Sequence, residues 1–292
     1  MKSRMKTKCR WATGALILPL ALLIAASVEA ADAYFGLKPP TDAPEIFALG
    51  IVSCAGDRLR ECSISFWPDG LRCFFARFGD GIPDHTVFES HWTAEGWASP
   101  APSLLFPDVA CEPSLSPDGE RIFYAPPNPH AGHGSHVLHM LEREVSGWSA
   151  PRPLFPGLYA SADLEGTLYY TTFRQNKDHI AYRLPDGGGY GEEWLVQANV
   201  YDPRHEDAHP CIAPDGSYLL FDSSTRPRSG ACRLYVTFRM EDATWTEPVN
   251  MGPVLGDLPA ALARLSPDGR ALFFSANGEI YWIDASVVET LR

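Results

Sequence analysis

Basic side chains are scarce in this sequence. Its 24 lysine and arginine residues stand against 36 aspartate and glutamate residues, which gives a formal net charge of −12 over 292 residues. Five of the basic residues fall within the first ten positions, and the rest of the chain has no run of lysine or arginine. Such a chain would repel nucleic-acid phosphates and anionic lipid surfaces. We therefore expect no nucleic-acid partner.

Three motifs that carry common chemistry are also missing. No Cys-x-x-Cys pair occurs, so a thioredoxin-like redox site or a zinc ribbon has no support. No Gly-x-Ser-x-Gly motif is there to expose a serine nucleophile. The glycine-rich stretch PDGGGYG precedes no predicted helix, so it does not form a phosphate-binding loop.

The N-terminus has the layout of a secretory signal peptide. A basic stretch, MKSRMKTKCR, is followed by the apolar run ATGALILPLALLIAA, which is too short to span a bilayer comfortably. Small residues then precede a predicted cleavage site after Ala30. We expect residues 1–30 to be removed and the mature protein to be periplasmic or secreted, without a membrane span. An uncleaved membrane anchor is the alternative.

The cysteine count permits disulfides but does not assign them. An even number of cysteines in an exported chain is typical of disulfide bonding, and six cysteines allow fifteen full pairings. The pairing stays open at this point. The cysteines beyond the leader are Cys54, Cys62, Cys73, Cys111, Cys211 and Cys232.

A repeat is the strongest signal in the chain. Four similar segments share a Pro-Asp-Gly turn followed by an apolar stretch, and a weaker fifth copy reads SADLEGTLYY. The turn glycines recur roughly every 50 residues. A tryptophan segment (GWASP, GWSAP, TWTEP) recurs in the same phase, so two independent markers support the repeat. The turn glycines are Gly70, Gly119, Gly166, Gly216 and Gly269.

Each repeat unit is predicted to form four antiparallel strands. Ser-Pro-Asp-Gly is typical of a type I turn closed by a left-handed glycine, and we expect an aspartate such as Asp118 to cap its own turn. Apolar segments such as RIFYA and RALFF follow the turns without alternation, which indicates strands buried on both faces. Four-stranded units at this period predict an all-β protein, a β-propeller over residues 31–292.

The unit count predicts five blades. The last unit ends after EIYWID without a fourth strand, and the segment APEIFALGIVS (43–53) has no blade of its own. We expect this N-terminal segment to supply the missing strand and close the ring. Six blades are the alternative, although residues 31–60 leave hardly any room for another hairpin.

The repeat resembles a known family. PSLSPDGERIFYA and RLSPDGRALFFSANGEIYWID are similar to the WD40-like PD40 repeats of TolB-type propellers, and PCIAPDGSYLLFD is nearly so. The unit SADLEGTLYY departs from the pattern. The resemblance covers the whole mature chain, without the additional N-terminal domain of TolB. It implies an exported propeller that binds a protein or a cell-envelope component.

Strand order separates two faces of such a propeller. The turn face carries all the Pro-Asp-Gly turns, and the loop-rich face carries the links between blades and the loops between second and third strands. We expect a ligand site on the loop-rich face, because variable loops around the mouth of a closed β-architecture commonly hold ligands. PHAGHGSHVLH on that face spaces four histidines by three residues, which we interpret as ordinary loop composition. They are His130, His133, His136 and His139.

A second stretch on the loop-rich face, RHEDAHP, is the main candidate site. By its letters HEDAH satisfies the zinc-protease motif, but that motif needs a helix, and prolines on both sides predict a loop between blades. We expect His205, Glu206, Asp207 and His209 to bind a ligand near the central channel. His205 and His209 are the candidate metal ligands.

Two arginines on loops of the third and fourth units, Arg174 and Arg226, are further candidates for ligand binding. The sequence therefore predicts a non-catalytic exported propeller that uses no cofactor. The alternative is an enzyme, a metal-assisted lyase or hydrolase that acts on acidic glycans in the central channel. This alternative follows from the resemblance, because related propellers in oligogalacturonate lyases use histidines around a divalent metal.

Overall fold

The regular secondary structure of the described part of the chain is nearly all β, in short antiparallel strands joined by turns and loops. The computed structural model describes residues 30–54, 56, 58–106, 111–126, 134–197 and 199–292. In chain order the strands are β1 (Glu45–Ile46), β2 (Leu59–Phe66), β3 (Arg72–Gly79), β4 (Ile82–Thr93), β5 (Gly96–Trp97), β6 (Ala101–Pro102), β7 (Cys111–Leu115), β8 (Arg121–Ala125), β9 (Val137–Glu144), β10 (Gly147–Trp148), β11 (Arg152–Pro156), β12 (Leu158–Ala162), β13 (Leu168–Arg174), β14 (Lys177–Arg183), β15 (Pro185–Asp186), β16 (Gly189–Tyr190), β17 (Trp194–Leu195), β18 (Asp207–Ile212), β19 (Tyr218–Ser223), β20 (Leu234–Phe238), β21 (Val249–Asn250), β22 (Ala261–Leu265), β23 (Ala271–Ala276) and β24 (Glu279–Asp284). The helical segments are a short α-helix, α1 (Gly252–Leu255), and two 3₁₀ segments, Ala30–Gly36 and Ala285–Leu291.

Five small sheets form the five blades of a β-propeller, as the repeat predicts. Blade 1 has the order β2-β3-β4-β5 with β6 beside β4, and blade 2 has β7-β8-β9-β10 with β11 beside β9. Blade 3 is β12-β13-β14-β17, and blade 4 is β18-β19-β20-β21. The first strands of the blades, β2, β7, β12, β18 and β22, contact one another in a closed ring. These five strands therefore surround the central axis.

The N-terminal strand closes the ring. Blade 5 has the order β22-β23-β24-β1, and β1 pairs antiparallel with β24, with Glu45 opposite Trp282 and Ile46 opposite Tyr281. Phe47, which follows β1, is completely buried. The prediction that this segment completes the last blade is confirmed, and the six-bladed alternative is wrong, because the strand is used to close blade 5.

The hydrophobic core is divided among the contacts between neighbouring blades. Each of five apolar clusters combines side chains from two adjacent blades, such as Phe75 of blade 1 with Phe273 of blade 5. The middle strands are buried on both faces: all six residues of β19 are buried. This burial confirms the prediction drawn from the apolar segments that lack alternation.

The repeated turns have the predicted chemistry. All five turn glycines have positive φ, between +68° and +82°. Asp118 accepts hydrogen bonds at Oδ1 from the Glu120 backbone N–H, at 3.0 Å, and from the Ser116 hydroxyl. The divergent third unit keeps the turn by placing an aspartate first: Asp163 Oδ1 accepts from the Thr167 N–H at 2.8 Å. Asp118 therefore caps its own turn, as expected.

Several expectations fall partly outside the described residues. Residues 1–29, which make up nearly all of the predicted signal peptide, lie outside them, as do His130 and His133. Among the helices in the described ranges, none is long and apolar enough to cross a membrane. Four of the described cysteine side chains are free thiols: Cys54, Cys73, Cys211 and Cys232.

Candidate functional site

One position in every repeat has an unusual backbone conformation. Seven positions before each turn glycine, the first strand of the blade has a non-glycine residue with φ between +49° and +56°. The pairing with the second strand shifts its register at this point in all five blades. A bulge of this kind redirects a side chain out of the regular alternation. The residues are Ser63, Glu112, Tyr159, His209 and Leu262.

Two side chains close the channel at the axis. The Tyr159 hydroxyl donates to the Ala263 carbonyl at 2.7 Å, and Arg264 donates to the carbonyls of Ala160 at 3.0 Å and Glu112 at 3.2 Å. These contacts join blades that are not neighbours, so they cross the axis. The Arg264 guanidinium lies 3.6 Å from the centre of the Tyr159 ring, a close cation–π contact. Burial raises the pKa of the Tyr159 hydroxyl well above its usual range.

His209 lies beside this pair and joins two carboxylates. Its Nδ1 is 2.9 Å and 3.0 Å from the two Asp222 oxygens, and its Nε2 is 3.9 Å from Glu112 Oε1. The Tyr159 ring meets the imidazole edge-on, with 4.8 Å between ring centres. The His209 backbone N–H donates to Thr171 Oγ1 at 2.9 Å, which holds the bulge in place.

The charge state of His209 follows from these neighbours. Burial alone would lower its pKa, but the carboxylates of Asp222 and Glu112 outweigh burial and raise the pKa to about 9. His209 is therefore an imidazolium at neutral pH. Asp222 also accepts a hydrogen bond from the Leu262 backbone N–H at 3.0 Å, so the same carboxylate links blades 4 and 5.

We name these five residues the axis cluster: Glu112, Tyr159, His209, Asp222 and Arg264. Within the described structure, Glu112 Oε2 and Arg264 Nε are buried and have no hydrogen-bond partner. The His209 side chain remains 25% exposed, so solvent reaches the cluster at its imidazole. The cluster thus offers a buried acceptor without a partner and, beside it, an imidazolium donor that solvent reaches.

The channel is narrow beyond the cluster, toward the turn face. A cavity of about 40 Å³ remains there, enough for only a few water molecules. Its walls include the residues five positions before the turn glycines, and three of these are serines that bond to the next blade. Ser114 donates to the Ala160 carbonyl at 2.6 Å, and Ser161 to the Pro210 carbonyl at 2.9 Å. Ser65 accepts from the Leu115 N–H at 3.0 Å.

Among the predicted ligand-binding residues, Asp207 and Arg226 form a buried ion pair. Arg226 donates through Nε and Nη2 to the two Asp207 oxygens at 2.8–3.1 Å, and also to the Val200 carbonyl. The guanidinium lies 5.5 Å from the centre of the Phe221 ring. With all these contacts satisfied, the pair anchors the loop-rich face of blade 4.

His205 and Glu206 lie in the turn before β18 and contact local partners. His205 Nε2 is 3.8 Å from Asp202 Oδ2, and its Nδ1 is 3.4 Å from the Thr225 hydroxyl. The Glu206 carboxylate accepts from the Ser224 hydroxyl at 2.9 Å. Since β18 begins at Asp207, HEDAH is not helical, and the expectation that its zinc-protease match is accidental agrees with this geometry.

Arg174 lies at the end of β13, in a different group. It forms an ion pair with Glu193, whose carboxylate also accepts from the Tyr170 hydroxyl and lies 3.7 Å from Arg183. Across the described ranges, no three histidine, cysteine or carboxylate side chains are arranged to hold a metal ion. Of the six predicted residues, the structure places only His209 in the axis cluster.

The rest of the axis cluster was missed by motif reasoning. Glu112, Tyr159 and Arg264 share no residue type or short motif with His209. The available signal was the repeat register, since Glu112, Tyr159 and His209 stand at one equivalent position before the turn glycine. The place of Asp222 in the cluster follows from strand pairing. Asp222 lies opposite Ala208, the residue that precedes His209.

Comparison with known proteins supports the fold. No protein-family model matches the sequence, and no curated protein matches it either. A thermostable family-43 glycoside hydrolase is similar in structure, with a TM-score of 0.50 and 10% identity over 80% of this chain and 91% of that one. An α-L-arabinofuranosidase from Lactobacillus brevis has a TM-score of 0.50 and 13% identity, over 76% and 85% of the two chains.

A TolB from Acinetobacter baumannii is also among the structural neighbours. Its TM-score is 0.47 and its identity 13%, and the alignment covers 77% of this chain but only 54% of that TolB. At these identities, the two structures with a TM-score of 0.50 show a shared fold and nothing about activity. The chain is a five-bladed β-propeller whose structural neighbours include both a TolB and glycoside hydrolases.

Proposed function

We propose that the protein is a non-catalytic binding propeller that receives a polar group of a protein or cell-envelope ligand at the channel mouth on its loop-rich face. The observation that carries this proposal is the axis cluster. Its His209 side chain is 25% exposed, and its Glu112 has a buried carboxylate oxygen without a partner in the described structure. Convergent polar groups in the mouth of a closed β-architecture are typical of a ligand site.

The charges of the axis cluster indicate the chemistry of the ligand. His209 and Arg264 carry two positive charges, and Glu112 and Asp222 carry two negative charges. A site with balanced charge has no net attraction for an ion. It suits a neutral group that both donates and accepts hydrogen bonds, such as a sugar hydroxyl or a peptide amide, which would donate to Glu112 and accept from His209.

The protonation states in the cluster support binding without chemistry. A general base works best with a pKa near the operating pH, whereas His209 has a pKa of about 9 and keeps its proton. The Nδ1 of His209 is also bonded to Asp222, and an imidazolium has no lone pair to offer a metal. We therefore propose that binding uses no cofactor.

We also propose that the protein acts outside the cytoplasm, on the basis of its predicted signal peptide. Mass spectrometry of protein purified from the periplasm or the culture medium of an expressing bacterium tests this directly. We expect a mature N-terminus at Ala31. A full-length chain in the membrane fraction would instead show an uncleaved anchor.

A binding panel tests the proposed site. The probes are purified peptidoglycan fragments, neutral oligosaccharides, acidic oligosaccharides and detergent-solubilised envelope proteins, each presented to the wild type, Glu112→Gln and Asp80→Asn. Asp80 is an exposed carboxylate on the same face, away from the axis, and serves as the matched control. Loss of a charge-assisted hydrogen bond is worth about 1.5–3 kcal/mol, so we expect Glu112→Gln to weaken binding about tenfold or more.

Three outcomes would contradict the proposal. A probe whose binding survives Glu112→Gln unchanged would place the site elsewhere. A probe bound equally weakly by both variants would show a general effect of surface charge. A probe recovered in cleaved form, with cleavage lost in the Glu112 variant, would make the protein an enzyme.

A further inference from the structure

A second cavity lies on the opposite face of the propeller. It is a groove of about 980 Å³, bounded by the N-terminal segment 33–40 on one side and the 3₁₀ segment Ala285–Leu291 on the other. Its floor is made by the Pro-Asp-Gly turns of blades 1, 4 and 5. We name it the turn-face groove. It is as large as pockets that enclose a drug-sized molecule, and far larger than a site for one ion.

The turn-face groove is lined by more carboxylates than cations. Asp69, Asp215 and Asp284 each use one oxygen, Oδ1, to accept a backbone N–H of their own turn. Within the described structure, the second oxygen of each makes no hydrogen bond or ion pair. Two cations share the wall: Arg270 lies 3.9 Å from Asp268, and Lys38 has no such partner among the described residues. The groove therefore has an excess of free negative charge.

Two donors in the same wall belong to side chains that are more than nine-tenths buried. Tyr218 is 7% exposed and Trp282 is 3% exposed, and both line the groove. Neither the Tyr218 hydroxyl nor the Trp282 indole N–H has a hydrogen-bond partner among the described residues. Burial raises the pKa of Tyr218, so its hydroxyl stays protonated and available to donate. Unpaired donors on largely buried side chains that line a groove are available to an acceptor from a ligand or from water.

An apolar extension leads out of the groove. A neighbouring pocket of about 370 Å³ shares Asp215, Tyr218 and Asp268 with it and ends at Leu164. Leu164 is 66% exposed, on the one turn that replaces the usual proline with leucine. The groove and pocket together form an elongated surface with an acidic wall, two free donors and an apolar end.

We propose that the turn-face groove binds an extended basic segment of a partner protein. The Asp69, Asp215 and Asp284 carboxylates would pair with its lysine and arginine side chains. The Tyr218 and Trp282 donors would bond its backbone carbonyls, and Leu164 would pack against an apolar side chain. An anionic lipid or a nucleic acid fits poorly, since its phosphates would face the same carboxylates.

Fluorescence anisotropy with two synthetic peptides tests this proposal. The probe is a short fluorescein-labelled peptide of repeating Lys-Ser-Arg-Leu, and its counterpart replaces every basic residue with glutamate. We expect the basic peptide alone to bind, and its affinity to fall as salt is raised. The double variant Asp69→Asn/Asp215→Asn should weaken binding at least about tenfold, and Tyr218→Phe about three- to tenfold. Asparagine keeps the turn-capping oxygen, so the fold is preserved.

Asp118→Asn is the matched control, because Asp118 occupies the same turn position in blade 2 and lies outside the groove. We expect its affinity for the peptide to stay within about twofold of the wild type. Equal weakening by Asp118→Asn, or equal binding of the acidic peptide, would overturn the proposal. So would self-association that is lost in Tyr218→Phe, because it would assign the groove to a second copy of the chain. Glu112→Gln should leave peptide binding unchanged, which separates this surface from the channel mouth.

Discussion

The proton held by His209 makes a measurable contribution to stability. The pKa of His209 is about 9 in the folded protein, and about 6.5 in an unfolded chain. The folded state therefore holds this proton more tightly, and the resulting stabilisation is complete below pH ~6.5 and lost as the pH rises through 9. The difference between the folded and unfolded pKa of His209 corresponds to about 3 kcal/mol of stability. Because the ring is about a quarter exposed, solvent screening reduces the expected effect to about 2 kcal/mol.

Two measurements examine this prediction. NMR titration of the histidine ring protons should show one imidazole, assigned with His209→Gln, that titrates near pH 9. Urea unfolding at pH 6 and pH 9.5 should then show that His209→Gln is less stable than the wild type by about 2 kcal/mol at pH 6. At pH 9.5 this part of the difference should be absent. The comparison between variants cancels the titration of tyrosine and cysteine residues common to both.

His91→Gln provides the control, because His91 is exposed and away from the axis cluster. Its stability relative to the wild type should not depend on pH. If the His209 ring titrated at or below pH 6.5, the two carboxylates would not outweigh its burial. A destabilisation by His209→Gln of equal size at both pH values would mean that the imidazole acts through packing, and the electrostatic reasoning would be refuted.

Three further experiments test the hydrogen bond across the axis, the closure of the ring and the absence of bound metal. Tyr159→Phe leaves the buried Ala263 carbonyl without a partner, and urea unfolding should show a loss of about 1–2 kcal/mol; no loss would mean that the carbonyl finds water. Deleting residues 43–53 removes the closing strand and should lower the melting temperature by at least about 10 °C; an unchanged value would contradict closure. Purified protein should retain no stoichiometric metal; metal lost in His205→Ala/His209→Ala would support the metal-assisted enzyme.

The fold was predictable because it is encoded by local turn chemistry. A left-handed glycine and a capping aspartate occur wherever the first two strands of a blade meet, so the turn recurs in the sequence. Asp118 and its equivalents are visible for this reason. Closure was predictable by counting strands, since one unit lacked its fourth strand and the segment around Glu45 had no blade.

The axis cluster was not predictable from motifs, because its position is defined by backbone and not by residue type. The same bulge carries serine, glutamate, tyrosine, histidine and leucine in successive blades. A non-glycine residue in the left-handed region costs roughly 1–2 kcal/mol, and local sequence does not signal it. It persists because tertiary bonds hold it, such as the one from Thr171 to the His209 N–H.

The turn-face groove could not be predicted either, for a different reason. The sequence predicted a ligand site on the loop-rich face because the loops there differ from blade to blade. The turns on the turn face repeat nearly the same sequence and gave no such signal. The groove exists because the N-terminal segment crosses that face, where the Tyr34 backbone N–H donates to the Gly70 carbonyl at 3.0 Å. Tyr34 packs edge-on against Phe66 of blade 1. Contacts between residues so distant along the chain leave no pattern in either segment.

Arg264 departs from the residue type that three other blades have at its position, and its side chain fills the central axis. The position five residues before the turn glycine holds serine in three blades, and each serine bonds only to the next blade. A ring made of such residues alone would have an open axis. Arg264 occupies that position in blade 5, and its longer side chain reaches Ala160 and Glu112 in blades that are not its neighbours. The plug at the axis, and with it the placement of Glu112 beside His209, therefore depends on the asymmetry between blades.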